Sequence, residues 1–476
     1  MTWADVISIL LHAFMAFSIL YFVGVNLTYV ILLWRSFAEV LSAIRHARFA
    51  DLRVVVQSEI TPPVSILAPA FNEEAGIVES VRSLLKLSYG EYEVVVINDG
   101  SRDGTLRRMV EEFQLFPSRR VYDPLITTQA VRGIYRSRVS AYRNLTIVDK
   151  ENGGKADALN AGINAAQYEY VCCVDADSIL EDDALQKVMK PFLEDSTVVA
   201  SGGIVRIANG CDVVNGRVVR VGLSRKLLPL FQVVEYFRAF LSGRMGWQSA
   251  NALLIISGAF GMFRRRTVIE VGGYNPKTVG EDMELVVRIH RTLRDQRRQY
   301  RIVFVPDPVC WTEAPESLRI LGSQRNRWHR GLADVLILHR SMILNERYGV
   351  VGTLALPYFL FVELLGPVVE ALGYLSLVAL LAWGRLDLWM TAMFMTSAIV
   401  YGVMFSVGAV LLEEISFRRY PNPKHLALLL GIGILENFGY RQLTVYWRLK
   451  GLWKYFRGET AWGKMERPGF ARPKTA

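Results

Sequence analysis

Apolar residues dominate both ends of the chain, and short apolar runs alternate with polar segments between them. From Val6 to Trp34 almost every residue is apolar, and no Asp, Glu, Lys or Arg occurs between Asp5 and Arg35. A helix that crosses a bilayer of about 30 Å needs roughly 20 such residues, so this segment predicts a membrane span. Several arginines follow directly, and the positive-inside rule then places the next segment of the chain in the cytoplasm.

The membrane pattern returns beyond residue 350. Thr353–Trp383 and Leu388–Leu412 predict two further spans, and His425–Tyr446 predicts a weaker one. This last segment contains Glu436 and Arg441, so it must face protein or a polar cavity if it spans. Three spans here would leave the basic C-terminal tail outside, against the positive-inside rule. Two alternatives remain: the last segment lies flat or re-enters, or the stretch 353–383 breaks at its Gly-Pro pair.

The region from about residue 62 to 315 has the pattern of an α/β domain. Four short apolar, β-branched runs predict strands, with helical stretches between them beginning near residues 74, 103, 155 and 182; the runs are Val64–Leu67, Glu93–Ile97, Leu145–Val148 and Tyr170–Val174. Strands that alternate with helices indicate a mostly parallel sheet covered on both faces. Such sheets bind ligands at the carboxyl ends of their strands.

Two segments have an apolar face opposite a charged one. They are Arg225–Leu241 and Leu332–Ile343. Helices of this kind lie in the membrane interface or pack on a sheet, and both alternatives stay open.

Composition agrees with a water-facing domain joined to membrane segments. The chain of 476 residues is 51% hydrophobic and 21% charged, with a mean hydropathy of +0.23. Its net charge of +10 suits anionic lipid or a phosphorylated substrate. Nucleic acid is not an expected partner, because the basic residues are dispersed and nucleic-acid-binding motifs are missing. The four cysteines have neither disulfide-framework nor metal-ligand spacing, which predicts buried free thiols and suits a reducing cytosol.

Polar motifs follow the predicted strands. Asn72 and Glu73 in PAFNEE follow the first strand, and Asp99 in NDGS follows the second. Taken alone, these motifs are compatible with a helix cap and a glycine turn. In the functional interpretation they bind the base and ribose of a nucleotide. Lys155 in NGGKADALN, at a glycine-rich helix start, suits a diphosphate, although the spacing is not that of a P-loop.

The most informative motif is Asp175-Ala176-Asp177 after the fourth strand. Two carboxylates at the end of a buried strand are costly unless a cation accompanies them. Hard oxygen ligands favour Mg²⁺ or Mn²⁺ bridged to phosphate oxygens. An exposed acidic turn is the alternative interpretation.

Three later motifs complete the pattern. Asp282 in Gly280-Glu281-Asp282 suits a helix cap or a general base that takes a proton from a hydroxyl. In QRNRW, Arg327 and Trp328 suit a clamp on a diphosphate and a stacking surface for a sugar, although the string by itself also fits an amphipathic helix. The third motif is GAFG, from residue 258 to 261.

Taken in order, the motifs PAFNEE, NDGS, GGKADALN, DADS, GAFG, GED and QRNRW resemble the processive family-2 glycosyltransferases, which include poly-N-acetylglucosamine, hyaluronan, chitin and cellulose synthases. The resemblance covers roughly residues 60–330. It implies a GT-A fold, with a mostly parallel sheet, resting on interfacial helices beneath a transmembrane channel. The layout is most similar to bacterial poly-N-acetylglucosamine synthase.

The resemblance also implies a role for each motif residue. Asn72, Glu73 and Asp99 would hold uracil and ribose, and Lys155 would approach the diphosphate. Asp175 and Asp177 would serve the metal (Mg²⁺ or Mn²⁺), with Asp177 the more direct ligand. Gly258, Ala259 and Phe260 would line the acceptor pocket. Asp282 would be the general base, and Gln324, Arg327 and Trp328 would contact the diphosphate and the acceptor.

The predicted activity is therefore an inverting transfer from a UDP-sugar, with UDP-N-acetylglucosamine favoured, to a growing β-linked glycan that is exported across the inner (plasma) membrane. The alternative is a non-processive enzyme that adds one sugar to a lipid carrier. Expected partners are the UDP-sugar, the glycan acceptor, the bilayer, and accessory membrane or export subunits. The sequence departs from many relatives in having Asn98-Asp99 rather than two aspartates, and residues 118–143 resemble an insertion.

These expectations divide the chain into five parts. Residues 1–60 form a membrane helix and basic linker, and residues 61–315 form the cytoplasmic catalytic domain. Residues 316–350 carry QRNRW and interfacial helices, residues 351–450 form membrane segments, and residues 451–476 form a basic tail.

Overall fold

The structure of the chain, a computed structural model, describes residues 3–49, 61–118, 122–214, 216–420 and 422–459. The expected basic linker and the end of the basic tail, residues 50–60 and 460–476, lie outside these ranges. Within them the chain forms twelve strands: β1 (Val64–Ala70), β2 (Tyr92–Asp99), β3 (Leu115–Pro117), β4 (Val131–Ser137), β5 (Leu145–Lys150), β6 (Tyr170–Val174), β7 (Ile179–Leu180), β8 (Val198–Ile207), β9 (Asp212–Val214), β10 (Arg217–Arg220), β11 (Phe260–Arg264) and β12 (Arg301–Thr312).

Ten of these strands form one mixed sheet in the order β3-β4-β5-β2-β1-β6-β11-β8-β12-β7. Strands β5, β2, β1 and β6 run parallel, as do β8 and β12. Strand β11 is antiparallel to both of its neighbours, so it joins the two parallel blocks. The sheet is therefore mostly parallel, as the pattern of strands and helices predicts, and the carboxyl ends of β1, β2, β5 and β6 share one edge.

Helices cover the sheet and connect its strands. The first ten are α1 (Trp3–Phe49), α2 (Ile77–Leu84), α3 (Thr105–Glu112), α4 (Lys155–Ala165), α5 (Ala184–Glu194), α6 (Leu227–Tyr236), α7 (Met245–Gln248), α8 (Arg265–Glu270), α9 (Glu281–Asp295) and α10 (Leu318–Leu338). Strands β1, β2, β5 and β6 are almost continuously apolar and buried, because helices pack on both of their faces. Cys172, Cys173 and Cys310 are buried free thiols in this core, whereas Cys211 is free but half-buried.

The region that resembles an insertion contributes to the sheet. Strand β4 lies within it and pairs antiparallel with β5, and β3 pairs with β4 at the sheet edge. A short 3-10 turn, Ser140–Tyr142, then leads into β5.

Three helical segments are long and apolar enough to cross a membrane: Trp3–Ser42, Val351–Ala382 and Leu388–Ser416. The second contains π-helical turns at Val351–Ala355 and Phe359–Leu364, with Leu356–Tyr358 between them, and bends at Leu365 before α11 (Gly366–Ala382). The bend coincides with the Gly-Pro pair, which is one of the two alternatives considered above. The third comprises α12 (Leu388–Met395), the π-helical Thr396–Val400 and α13 (Tyr401–Ser416).

The weaker predicted span is not one helix. It divides into α14 (Pro423–Leu435) and α15 (Tyr440–Phe456). Gly439 has a φ of +90°, which interrupts the helix between them. The predicted interfacial segments lie between the domain and the membrane helices. Helix α6 continues into the π-helical Phe237–Arg244 and packs on α13 and α14, and the end of α10 packs on α9 and the segment after residue 350.

A buried ion pair joins the sheet to α13, which belongs to the third of these long apolar segments. Arg206 of β8 is 2% exposed and donates to Glu413 of α13, 3% exposed, with 2.5 Å between Nη2 and Oε1. The Arg206 guanidinium also lies 5.9 Å from the ring centroid of Trp311. The α/β domain and the long apolar helices thus share one packed core.

Candidate active site

The loops after β1 and β2 are held together by hydrogen bonds. Asn72 adopts a φ of +55°, and its side-chain oxygen accepts from the Arg102 N–H at 2.8 Å. The Asn72 N–H donates in return to Ser101 Oγ at 3.0 Å, and the Glu73 N–H donates to Thr105 Oγ1 at 2.9 Å. Asn72 and Glu73 therefore line a cavity at the carboxyl edge of the sheet, beside Asp99.

Asp99 anchors the glycine-rich loop that precedes α4. Its buried carboxylate accepts from the Lys150 ammonium at 2.7 Å, from the Asn152 amide at 3.0 Å, and from the backbone N–H groups of Gly153 and Gly154 at 3.0 and 2.8 Å. Each carboxylate oxygen thereby accepts two hydrogen bonds, so Asp99 fixes the loop that leads to Lys155.

The glycines of this loop are required by its geometry. Gly154 has a φ of +86°, which side chains rarely adopt. A Cβ on Gly153 would lie 2.4 Å from a carboxylate oxygen of Asp157. Asp157 in turn pairs with the fully buried Lys150 at 2.5 Å. The sequence analysis did not identify Lys150 as part of this site. The feature that could have indicated it is a lysine at the end of a predicted apolar strand.

Lys155 lies at the centre of a group of carboxylates. Its Nζ is 2.5 Å from Asp175 Oδ1 and 3.7 Å from Glu281 Oε1. Burial opposes the charge, yet Asp175 and Glu281 hold the pKa of Lys155 above its usual value. Burial raises the pKa of Glu281 to about 7. The positive charge of Lys155 opposes this rise, whereas the negative charge of Asp282 adds to it. Glu281 was in a predicted motif but had no predicted role.

Asp282 projects from the first turn of α9 toward Gly258. Its Oδ2 accepts from the Gly258 N–H at 3.1 Å, and its Oδ1 accepts from the Met283 N–H at 2.8 Å. The N-cap position belongs to Gly280, so Asp282 is not the cap of this helix. A Cβ on Gly258 would lie 2.8 Å from Lys155 Nζ and 3.6 Å from Asp282 Oδ2. The absence of a side chain at this position therefore leaves room for Lys155 and Asp282 beside the Gly258 backbone.

The GAFG motif only partly lines the cavity. Gly258 and Ala259 lie at its wall. Phe260 does not: it is fully buried in the core, where it opens β11 and pairs with Val174 of β6. The expectation that Phe260 lines an acceptor pocket is therefore wrong, because this residue belongs to a central strand that the sequence pattern did not reveal.

The QRNRW motif lies on α10, and Gln324, Arg327 and Trp328 line the cavity. Burial lowers the pKa of Arg327, against the attraction of Glu281, Asp175 and Asp282. Trp328 is 45% exposed, which leaves much of its side chain accessible.

Arg325 of the same motif has a different environment. It is 4% exposed, lies 4.3 Å from the Trp328 ring centroid and donates to Glu235 at 2.6 Å. Arg325 thus connects α10 to α6 and stacks on the ring of Trp328.

The donor set suits a cation shared with a ligand. In the described ranges no cluster of three or more His, Cys, Asp and Glu side chains has the arrangement of a metal site. Asp175 and Asp177 both line the cavity at the end of β6. Mg²⁺ is commonly bound by one or two carboxylates plus substrate phosphates, so this pair fits such an ion.

The cavity extends beyond the carboxyl edge of the sheet. It has a volume of about 1850 Å³ and continues between the membrane helices. Four arginine–glutamate pairs line the cavity: Arg238–Glu436, Arg325–Glu235, Arg441–Glu370 and Arg448–Glu363. Glu363 and Glu370 belong to the apolar segment Val351–Ala382. Charged groups within membrane helices generally mark a substrate or ion pathway. Glu436 and Arg441 face this cavity, as expected if their segment enters the membrane.

Comparison with known proteins agrees with this geometry. The chain matches the family "Glycosyl transferase family 2" over residues 65–271 and "Glycosyl transferase family group 2" over residues 170–411. The second match covers about half of the chain. The chain therefore belongs to the family-2 glycosyltransferases.

Within that class it is similar to poly-β-1,6-N-acetyl-D-glucosamine synthase. The Staphylococcus aureus and Staphylococcus epidermidis proteins are 30% identical to it over 275 residues, which is 58% of this chain and 55% of theirs. The match thus spans about half the length of these relatives. Among solved structures, the mannosyltransferase PcManGT of Pyrobaculum calidifontis, in complex with GDP-Man and Mn²⁺, is 20% identical with a TM-score of 0.53. It covers 90% of this chain and 99% of its own, and the likeness indicates the same GT-A fold.

Proposed function

We propose that this protein transfers N-acetylglucosamine from UDP-N-acetylglucosamine to the end of a β-linked polysaccharide and passes the product into the membrane. The observation that carries the proposal is the single cavity that joins the carboxylate site to the polar interior between the membrane helices. An enzyme that releases a soluble product after each transfer has no need of such a path.

The donor would bind at the carboxyl edge of the sheet. Asn72 and Glu73 would contact the uracil, and the loop whose Gly153 and Gly154 N–H groups are held by Asp99 would present Lys155 to the diphosphate. Arg327 would neutralise the other side of the diphosphate. The similarity to poly-β-1,6-N-acetyl-D-glucosamine synthases favours N-acetylglucosamine as the sugar.

Asp282 would act as the general base. Its two oxygens are oriented by backbone N–H groups, so the remaining lone pairs point in fixed directions. The acceptor hydroxyl would attack the anomeric carbon as its proton passes to Asp282, and the nucleoside diphosphate would leave with the bonding electrons. Attack opposite the leaving group converts an α-linked donor into a β-linked product.

Asp175 and Asp177 would hold Mg²⁺ or Mn²⁺. When bound, the ion offsets the negative charge that develops on the departing diphosphate. Lys155 already neutralises part of the charge of Asp175 at 2.5 Å, so it would share this task.

The experiment that tests the proposal is a transfer assay with the full chain in detergent. Each radiolabelled UDP-sugar is offered separately with Mn²⁺ or Mg²⁺, and the product is sized before and after linkage-specific glycosidases. High-molecular-weight product from UDP-N-acetylglucosamine alone supports the proposal. A single lipid-soluble product assigns the protein to transferases that add one sugar to a lipid carrier, and polymer from another donor overturns the choice of sugar.

A further inference from the structure

Arg244 differs from the other arginines that line the cavity. It ends the π-helical segment Phe237–Arg244 and lines the same cavity as Trp247 and Asp282. Asp282 is close enough to attract its charge. In the described part of the chain, no carboxylate lies within ion-pair distance of it. Its Nη1 is buried and has no hydrogen-bond partner there either. By contrast, four of the other arginines at the cavity wall each pair with a glutamate: Arg238, Arg325, Arg441 and Arg448.

The guanidinium is nevertheless held in a defined position. It stacks over the Phe240 ring, with 3.8 Å between Cζ and the ring centroid, and lies 5.9 Å from the Phe304 centroid. Stacking orients the plane of the guanidinium but satisfies none of its N–H donors. Those donors are therefore left for a group that enters the cavity.

Burying an arginine without a partner is unfavourable. Burial lowers the pKa of Arg244 to about 10, although Asp282 attracts its charge from a distance. Arg244 as a whole is half-buried, but its buried Nη1 has no acceptor, and a buried donor without an acceptor is costly, more so when it is charged. A ligand oxygen at this position would remove that cost, so the arrangement favours binding of a hydrogen-bond acceptor.

The position of Arg244 selects the kind of ligand. It lies on the wall formed by the segment after α6, near Asp282, whereas Lys155 and Arg327 are the cations closest to the carboxylates of the donor site. A sugar carboxylate in this place would be repelled by Asp282 and Glu281. A neutral oxygen on a sugar beside Asp282 suits both the unused donors and the local charge.

We propose that Arg244 binds the terminal sugar of the glycan acceptor, through the carbonyl oxygen of its N-acetyl group, and so makes the enzyme specific for acetylated acceptors. This inference rests on the proposed function. Trp247, from the next turn, would provide apolar contact to the same sugar.

The test measures binding of two probes to the full chain in detergent. They are a β-1,6-linked N-acetylglucosamine pentasaccharide and the matching β-1,6-linked glucose pentasaccharide. Arg244→Gln and Arg244→Lys are compared with wild type, and Arg225→Gln is the control, because Arg225 is exposed and precedes the same helix. Binding of UDP-N-acetylglucosamine is measured for every variant as evidence that the donor site is intact.

We expect Arg244→Gln to weaken binding of the acetylated pentasaccharide about 10- to 100-fold, as for the loss of a hydrogen bond to a charged donor. Arg244→Lys should lose less. The preference of wild type for the acetylated over the unacetylated probe should largely disappear in Arg244→Gln, with donor affinity and the Arg225→Gln control unchanged.

Four results would overturn the inference. Unchanged acetylated-probe binding in Arg244→Gln would remove Arg244 from the acceptor site. Weaker donor binding in the same variant would assign it to the diphosphate or to the support of Asp282. If the wild-type protein makes polymer but binds the two probes equally, only the proposed acceptor specificity is rejected. If the wild-type protein transfers no sugar and binds neither probe, this inference and the proposed function are both overturned.

Discussion

The Oδ2 atom of Asp282 accepts a hydrogen bond from the Gly258 N–H at 3.1 Å, across a gap of 24 residues in sequence. The bond ties the first turn of α9 to the segment that leads into β11. It therefore sets the direction of the carboxylate with backbone rather than with another side chain, which gives the proposed general base little freedom to rotate.

Asp282→Asn should therefore remove the proton acceptor, while its single amide oxygen can still accept one of the two backbone hydrogen bonds. We expect sugar transfer to fall by roughly 10²–10⁴, the usual contribution of a general base. Affinity for the UDP-sugar should be unchanged. Initial rates and donor binding measured in parallel check both points, with Asp183→Asn as the control because Asp183 is half exposed and pairs only with Lys187 four residues on. Near-normal transfer by Asp282→Asn would remove this residue from the role.

Trp328→Ala should shorten the polymer more than it reduces hydrolysis of the donor. The tryptophan is 45% exposed at the cavity wall, and stacking on a sugar ring is an acceptor contact. Product length and free UDP-sugar hydrolysis are the two readouts. Trp389→Ala is the matched control, since Trp389 is 81% exposed and lies outside the cavity. Equal losses in the two readouts would contradict an acceptor role.

Asp99→Asn should destabilise the protein and weaken donor binding. An amide cannot accept from all four groups that now donate to Asp99, so donors of the buried glycine loop lose their partner. Removing one partner of a buried ion pair typically lowers the free energy of unfolding by about 3–5 kcal/mol. Thermal unfolding and donor affinity are measured together. Asp212→Asn, at an exposed pair with Arg220, should change stability by less than about 0.5 kcal/mol, and an equally small effect of Asp99→Asn would show that the loop does not depend on it.

Removal of divalent cations should abolish sugar transfer. After dialysis against EDTA we expect activity to return on addition of Mn²⁺ or Mg²⁺, because the carboxylate pair at the end of β6 suits a cation shared with the diphosphate. Asp177→Asn should require a higher Mn²⁺ concentration for half-maximal rate. Full transfer by the metal-free protein, or the same Mn²⁺ requirement in Asp177→Asn, would argue against a metal at this position.

His290 should make the folded state sensitive to mild acid. It is fully buried between Tyr300 and the Leu253 carbonyl, and burial lowers its pKa from 6.5 to about 4. Between these values the unfolded chain binds the proton and the folded chain does not. Stability is thus fully present above pH 6.5 and is lost as the pH falls toward 4.

His290→Gln should be less stable overall at neutral pH, yet its stability should fall less steeply between pH 6.5 and 4, by up to about one bound proton. Denaturant unfolding across this pH range gives the two slopes. Identical slopes in wild type and variant would show that His290 does not titrate on unfolding.

The central parallel strands were predictable because their pattern is local. The predicted run Tyr170–Val174 has the bounds of β6, and the other three predicted runs lie within β1, β2 and β5. Continuous apolar, β-branched residues between helical segments determine such strands regardless of what lies elsewhere in the chain. The same locality made the strand-end motifs visible, and the structure gathers Asp99, Lys155, Asp175 and Asp282 around one cavity.

The rest depends on contacts between distant segments. Strand β11 enters the sheet between β6 and β8, and nothing in Phe260–Arg264 identifies that position. The pairing of Lys150 with Asp99 and Asp157 joins three segments, so no single motif contains it.

The pair Arg206–Glu413 bears on the order in which the chain is synthesised. The two residues are separated by 207 positions, and the arginine belongs to a strand inside the sheet. While the ribosome has produced only the segment up to β12, Glu413 is not yet available to this guanidinium. A buried charge without its partner is destabilising, so we expect β8 to reach its full stability only after the helix that carries Glu413 has been translated.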